Sequence, residues 1–154
     1  SYHGLPESNV KKADTEGVCK FGSCCEQITD KNRLCYRAQC VGTTKNVVAA
    51  LGWSEDRYSM AFQSRFGRQA WIQPYLDDHL ETLLSSGCKK IAVVTPSFVS
   101  DCLETIHEIG IEYREEFMEG GGEVFQLVPN LNDEPVWFSS VYEISQRYLR
   151  KNQE

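Results

Sequence analysis

Ile91-Ala92-Val93-Val94-Thr95-Pro96-Ser97-Phe98-Val99-Ser100-Asp101-Cys102-Leu103-Glu104 decides the fold. An unbroken apolar run, Ile91 to Val94, ends at Thr95-Pro96, and after a short loop a helix opens at Asp101. A run without polar alternation predicts a strand covered on both faces. A strand feeding a helix through a tight loop is the unit of open α/β sheets, which place ligand sites at strand carboxyl ends. Asp101, Glu104, Glu108 and Glu112 recur at three- and four-residue steps and share one helical face, opposite Leu103, Ile106, Tyr113 and Phe117. Two readings of that acidic face stand. Asp101 followed by Glu104 is a capping-box pattern in an acid-favouring first turn. Carboxylates and a histidine at a strand's carboxyl end also suit a metal ion or proton transfer.

Working outward, Lys90 to Thr95 is a predicted strand, Asp101 to Met118 a helix stopped by Gly120-Gly121-Gly122, and Glu123 to Val128 a further strand. Pro129 to Asn132 is a turn, and a last helix runs from Pro135 to Arg150 with Val136, Val141, Ile144 and Tyr148 inward. Upstream, Pro74 to Ser86 has helical period at Leu76, Leu80, Leu83 and Leu84. Gln63 to Trp71 is a loop, Arg57 to Phe62 a strand, and Cys35 to Leu51 a helix with Val47, Val48 and Leu51 on its apolar side. Alternation of this kind predicts an α/β fold: three layers, a mostly parallel sheet and right-handed crossovers. The loops at His3, Gln63–Trp71 and Ser97–Asp101 then converge on one sheet edge. The opening Ser1-Tyr2-His3 reads as the end of a first strand, which predicts that the chain is a fragment of a longer protein.

A chain of 154 residues with 41% hydrophobic content fits one domain. Its net charge of −6 argues against nucleic acid as a partner. No apolar run is long enough to span a bilayer and no signal peptide is visible, so the expected location is the cytoplasm. Membrane association is not legible.

Of seven cysteines, five fall together: Cys19, Cys24, Cys25, Cys35 and Cys40. Cys88 and Cys102 stand apart as expected buried thiols. An odd total without a secretory signal argues against a disulfide scaffold. Residues 7 to 34 are polar and weakly periodic, a predicted insert with no core of its own; over residues 13 to 40 a metal would be needed to fix its shape. Two Cys-x₄-Cys pairs suit either an iron–sulfur cluster or zinc.

Four segments carry a resemblance: Ser1-Tyr2-His3-Gly4-Leu5-Pro6; Phe62-Gln63-Ser64-Arg65-Phe66-Gly67 with Trp71 and Pro74; Pro96 to Thr105; and Leu131-Asn132. In order and spacing they resemble the carboxyl-terminal half of ferrochelatases, enzymes that insert ferrous iron into a porphyrin. The resemblance implies two similar α/β lobes with the porphyrin between them, residues 1–154 being the second lobe. The missing amino-terminal lobe is then a partner, porphyrin and Fe²⁺ are substrates, and the fragment alone is inactive. His3 matches the family's active-site histidine, credited with taking pyrrole protons or binding the metal. Glu104 matches the glutamate across the site, and Glu108 a further carboxylate on an acidic path. Gln63, Trp71 and Phe98 match residues near the porphyrin. Cys102 departs from the pattern, since some relatives carry histidine there, and this puts metal delivery at that position in question.

Some bacterial ferrochelatases are similar in carrying a [2Fe–2S] cluster on a cysteine-rich insert, which favours that cluster over zinc. Five cysteines for four ligand places leave Cys24 or Cys25 as the expected spare. Without the resemblance, His3 would read as a surface histidine and Trp71 as core packing. Arg65 and Arg68 either grip propionates or are solvated loop charges. A different class, an iron–sulfur sensing or electron-transfer module, is the alternative function; a cobalt or nickel chelatase is a third. The pairing of His3 with Glu104 favours the chelatase over a carrier.

Overall fold

The computed structural model describes residues 1–151. The elements are β1 (Tyr2–His3), α1 (Glu7–Ala13), α2 (Tyr36–Leu51), β2 (Phe62–Gln63), α3 (Leu76–Ser85) and β3 (Lys90–Val93). A π-helix (Glu104–Tyr113) then runs directly into α4 (Arg114–Glu119), followed by β4 (Val124–Leu127) and α5 (Pro135–Lys151). No helix among the described residues is long and apolar enough to cross a membrane.

The fold is mixed α/β, and both strand pairs are parallel, as the alternation predicts. β1 lies on β2 with Tyr2 opposite Phe62 and His3 opposite Gln63. β3 lies on β4 from Lys90 opposite Val124 to Val93 opposite Leu127. The two pairs form separate two-stranded sheets, with the Ser1 amine donating to the Val94 carbonyl at 2.6 Å between them.

Each pair has its own core. Leu76 and Leu80 of α3, one helical turn apart, bury against Val93, Ile109, Phe117 and Phe125. The Phe117 and Phe125 rings meet edge to face at 5.7 Å, a favoured aromatic geometry. Tyr2, Val10, Cys40, Phe62 and Ile72 form the second cluster. At the end of α4 the chain turns through Gly121 at φ +96°, with the Gly122 N–H closing onto the Phe117 carbonyl at 2.9 Å. A Cβ on Gly122 would strike the Phe117 ring, so only glycine lets the chain pass this close.

Several expectations are corrected. The Arg57–Phe62 strand shrinks to Phe62–Gln63, because Glu55–Arg57 winds into a 3₁₀ turn. The cysteine-rich segment begins later than residue 7: Glu7–Ala13 is a helix whose Val10 is buried in the second core. On α2 the buried face is Ala38, Cys40 and Val48, whereas Val47 and Leu51 are exposed. β3 is buried on alternate positions only, with Lys90 and Ala92 exposed. The acidic helix is the largest surprise. Its i→i+5 winding rotates successive side chains away from an α-helical wheel, so Thr105 and Ile109 face inward while Ile106 is exposed. Leu103, just before it, is exposed too, whereas Phe117 is buried and Tyr113 packs on the core as expected. Asp101 and Glu104 make no capping box; the Asp101 carboxylate accepts from Asn132 Nδ2 at 2.8 Å instead. Val136, Val141, Ile144 and Tyr148 of α5 are all exposed, because nothing in the described residues packs over them. Cys88 and Cys102 are half-buried.

Candidate functional site

Strand pairing builds the site. β1 on β2 sets His3 beside Gln63, and both strands stop there. Gln63 is only 1% exposed, so its amide must find partners inside the protein. Its Oε1 accepts from the Ser1 hydroxyl at 2.7 Å. Its Nε2 donates to the Glu104 carbonyl at 2.7 Å and to Glu108 Oε2 at 3.2 Å. A single amide thereby joins the first residue, the start of the π-helix and the Glu108 carboxylate.

The next residue completes the clasp. Ser64 sits in the left-handed region at φ 64°, uncommon for a residue with a Cβ. In that conformation its N–H donates to Glu108 Oε1 at 2.7 Å and its hydroxyl to Oε2 at 2.5 Å. These are charge-assisted bonds to both carboxylate oxygens. The quoted Gln63-Ser64-Arg65 segment drew attention to this position but gave Ser64 no role; the signal was a short polar residue where the chain leaves a strand.

Glu104 opens the π-helix. The Cys102 thiol, Glu104's own backbone N–H and the nearby His3 imidazole hold its carboxyl below the usual range, in that order of size. Each favours the charged form. Cys102 lies beside Glu104, and its Sγ accepts from Thr105 Oγ1 at 3.9 Å.

His3 is half-buried, and its Nδ1 lies 2.6 Å from the Gly4 carbonyl. A carbonyl only accepts, so Nδ1 carries the hydrogen and a neutral His3 presents Nε2 as its lone-pair nitrogen. The His3 carbonyl accepts from the Tyr36 hydroxyl at 2.7 Å. Tyr36, the first residue of α2, is a second positioning group that sequence reading passed over.

The structure therefore gathers His3, Gln63, Glu104 and Glu108. Trp71 adjoins them from within: it is buried, a Cβ on Gly4 would sit 3.2 Å from its ring, and its Nε1 donates to the Phe66 carbonyl at 2.9 Å. Phe98 is half-buried in the turn after β3, its N–H bonded to the Thr95 carbonyl at 3.0 Å. Arg65 turns away from the site, paired with Asp77 at 2.6 Å and stacked on Tyr75.

The thiols form a second locality. Cys19, Cys24, Cys25 and Cys35 line one cavity of about 300 Å³ with Asn32 and Tyr36. Cys24 and Cys25 Sγ are 3.7 Å apart. Asn32 braces the loop, its Nδ2 donating to the Cys24 and Gln27 carbonyls at 2.7 and 2.9 Å. Burial raises the Cys24 thiol, but the Lys20 N–H and then the Cys25 and Cys19 thiols outweigh it and leave Cys24 below its ordinary value. Burial pushes Cys25 and Cys19 up. Cys40 does not line that cavity: it is 3% exposed, packed with Tyr2, Val10, Phe62 and Ile72 in a cluster that Cys19 and Cys35 also adjoin, and burial pushes it up to about 11. Cys24 and Cys25 both line the cavity, whereas Cys40 is buried in the neighbouring cluster that Cys19 and Cys35 adjoin. Among the described residues, no three or more His, Cys, Asp or Glu side chains stand preassembled around a metal position.

β1 ends at the His3 imidazole and β2 at Gln63, whose amide reaches the π-helix that carries Glu104 and Glu108: a site on an α/β lobe built from parallel strand pairs. The Ferrochelatase family matches residues 1–149, and the chain belongs to that family. It is 44% identical over 144 residues to a ferrochelatase of Legionella pneumophila (strain Corby), covering 94% of this chain and 43% of the relative. It is 41% identical over 151 residues to a ferrochelatase of Coxiella burnetii (strain Dugway 5J108-111), covering 97% and 43%. A ferrochelatase of Azotobacter vinelandii is 44% identical over 147 residues, covering 94% and 44%. The chain thus spans less than half the length of these relatives.

Proposed function

We propose that this chain is the carboxyl-terminal lobe of a cytoplasmic ferrochelatase, which inserts ferrous iron into a porphyrin held between this lobe and an amino-terminal one. A free-base porphyrin carries two pyrrole protons that must leave before iron can enter. The supporting observation is the Gln63 amide, strand-paired to His3 and bonded to both Glu104 and Glu108. His3 Nε2, the free lone pair, accepts a pyrrole proton at near-neutral pH. Glu104, kept ionised, and Glu108, clasped by Ser64, provide hard oxygen ligands for incoming Fe²⁺ and a route for outgoing protons. The test is iron insertion by the full-length protein with His3→Ala. Loss of turnover with retained porphyrin binding is expected; activity near that of the unaltered protein would overturn the assignment.

We further infer that Cys19, Cys24, Cys25 and Cys35 hold a [2Fe–2S] cluster. Four thiols lining one cavity are the donor set that supports this reading. When bound, the group supplies one-electron chemistry and a covalent brace for a segment with few apolar contacts. The Arg37 guanidinium, held by the Gln73 and Gly22 carbonyls, lies near Cys25 and offsets thiolate charge there. Protein purified without oxygen should show sulfur-to-iron charge-transfer absorption in the visible region. A colourless protein with stoichiometric zinc would overturn the cluster.

A further inference from the structure

Among the described residues, nothing covers the apolar side of α5. Phe138, Val141, Tyr142, Ile144, Tyr148 and Leu149 are all exposed, Tyr148 at 69%. At 100° per residue they occupy one arc, while Ser139, Glu143, Gln146, Arg147 and Arg150 occupy the other. Glu143 and Arg147 pair along that polar side at 3.7 Å. An arc this broad and continuous marks a contact surface.

We propose that this face of α5 is the seat of the amino-terminal lobe of the same polypeptide, so that α5 clamps the two lobes together. The inference rests on the reading of this chain as one lobe of two. Two further observations select the occupant. More than half the length of the similar proteins lies outside the part that this chain matches, so a large partner in cis is at hand. The root of α5 is also fixed to the site: Asn132 N–H donates to the Val99 carbonyl at 2.9 Å, and the Asn132 side chain grips Asp101. The start of α5 is thereby tied to the loop that leads to Glu104. The arc carries no lysine or arginine, which disfavours an anionic lipid surface.

The experiment places the photo-crosslinker p-benzoylphenylalanine at Tyr142, at Tyr148 or, as a control, at Arg147 in the full-length protein. After irradiation, cross-linked peptides are mapped by mass spectrometry, with and without phosphatidylglycerol vesicles. Expected are products of monomer mass joining Tyr142 or Tyr148 to peptides outside residues 1–154, at a yield several-fold above that from Arg147. Products of dimer mass, adducts to lipid, cross-links only within residues 1–154, equal yield from Arg147 or no cross-link would each overturn the proposal. Iron insertion assayed in parallel separates the two readings. Expected cross-links without insertion would sink the chelatase reading and leave the clamp; insertion with cross-links elsewhere would sink only the clamp.

Discussion

Ser64 and Glu108, 44 positions apart, meet in a two-pronged bond: the Ser64 N–H on one carboxylate oxygen and its hydroxyl on the other. The hydroxyl prong can be removed by itself. Ser64→Ala should lower stability by about 1.5–3 kcal/mol, the usual worth of a hydrogen bond to a charged group. Ser64→Gly relieves the left-handed backbone as it removes the same prong, so its loss should be smaller. Urea denaturation of the chain measures both; equal losses would mean that the backbone at Ser64 stores no strain.

Gln63→Glu keeps the shape of the side chain but sets a carboxylate against the Glu108 carboxylate and the Glu104 carbonyl. Like charges in a buried site repel, so the variant should be markedly destabilised at pH 7. It should recover at acid pH, where protonation removes the repulsion. Thermal melts at pH 7 and at acid pH test this. A variant equally stable at both would show that the amide's donor bonds are dispensable.

Cys40 gives a prediction on the alkaline side. Burial holds its thiol at about 11, against about 8.5 in an unfolded chain. Below about 8.5 both states keep the proton and the stabilisation is complete. Above that value the unfolded chain loses its proton while the folded one does not, so stability should fall with rising pH toward 11. Cys40→Ala should lessen that slope in chemical denaturation measured from pH 8 to 10. At pH 8, iodoacetamide should label Cys88 while sparing Cys40 in the native protein.

Replacement of cavity thiols should separate ligands from bystanders. Cys35→Ser should abolish the visible absorption of anaerobically purified protein, while Cys40→Ala should retain it. Colour lost with Cys40 and kept without Cys35 would reverse the proposed ligand set.

Gly122→Ala drives a methyl group into the Phe117 ring. An overpacked core typically loses about 1–3 kcal/mol, whereas Phe117→Ala, leaving a cavity, should lose about 3–5 kcal/mol. If the double variant is less destabilised than the sum, the two residues are coupled through that contact.

The sequence showed most where a single period governs. Leu76 and Leu80 announced α3, and the Ile91–Val94 run announced β3. The order of elements announced parallel pairing. It failed where winding changed. Leu103 and Ile106 read as an inward face on an α-helical wheel, and both are exposed, with Thr105 and Ile109 of the π-helix inward instead. It failed again on α5, whose apolar arc was legible as an inward face but is exposed among the described residues. At the candidate site, His3, Gln63, Glu104 and Glu108 were singled out by motif, and the structure brings them together. Ser64 and Tyr36 were missed, because a backbone N–H in a left-handed turn and a hydroxyl on a distant carbonyl leave no mark on composition or spacing.

Gln63 has one more consequence, for how the chain avoids misfolding. Two-residue strands make too few ladder bonds to hold alignment by themselves. A slip of one position would present Phe62 or Ser64 where the amide belongs, strand its buried polar atoms at a cost of about 1–3 kcal/mol each, and carry every side chain to the opposite face. The groups that line the candidate site thereby also proofread the assembly of β1 on β2, so a chain that docks wrongly is penalised at the place where it would be inactive.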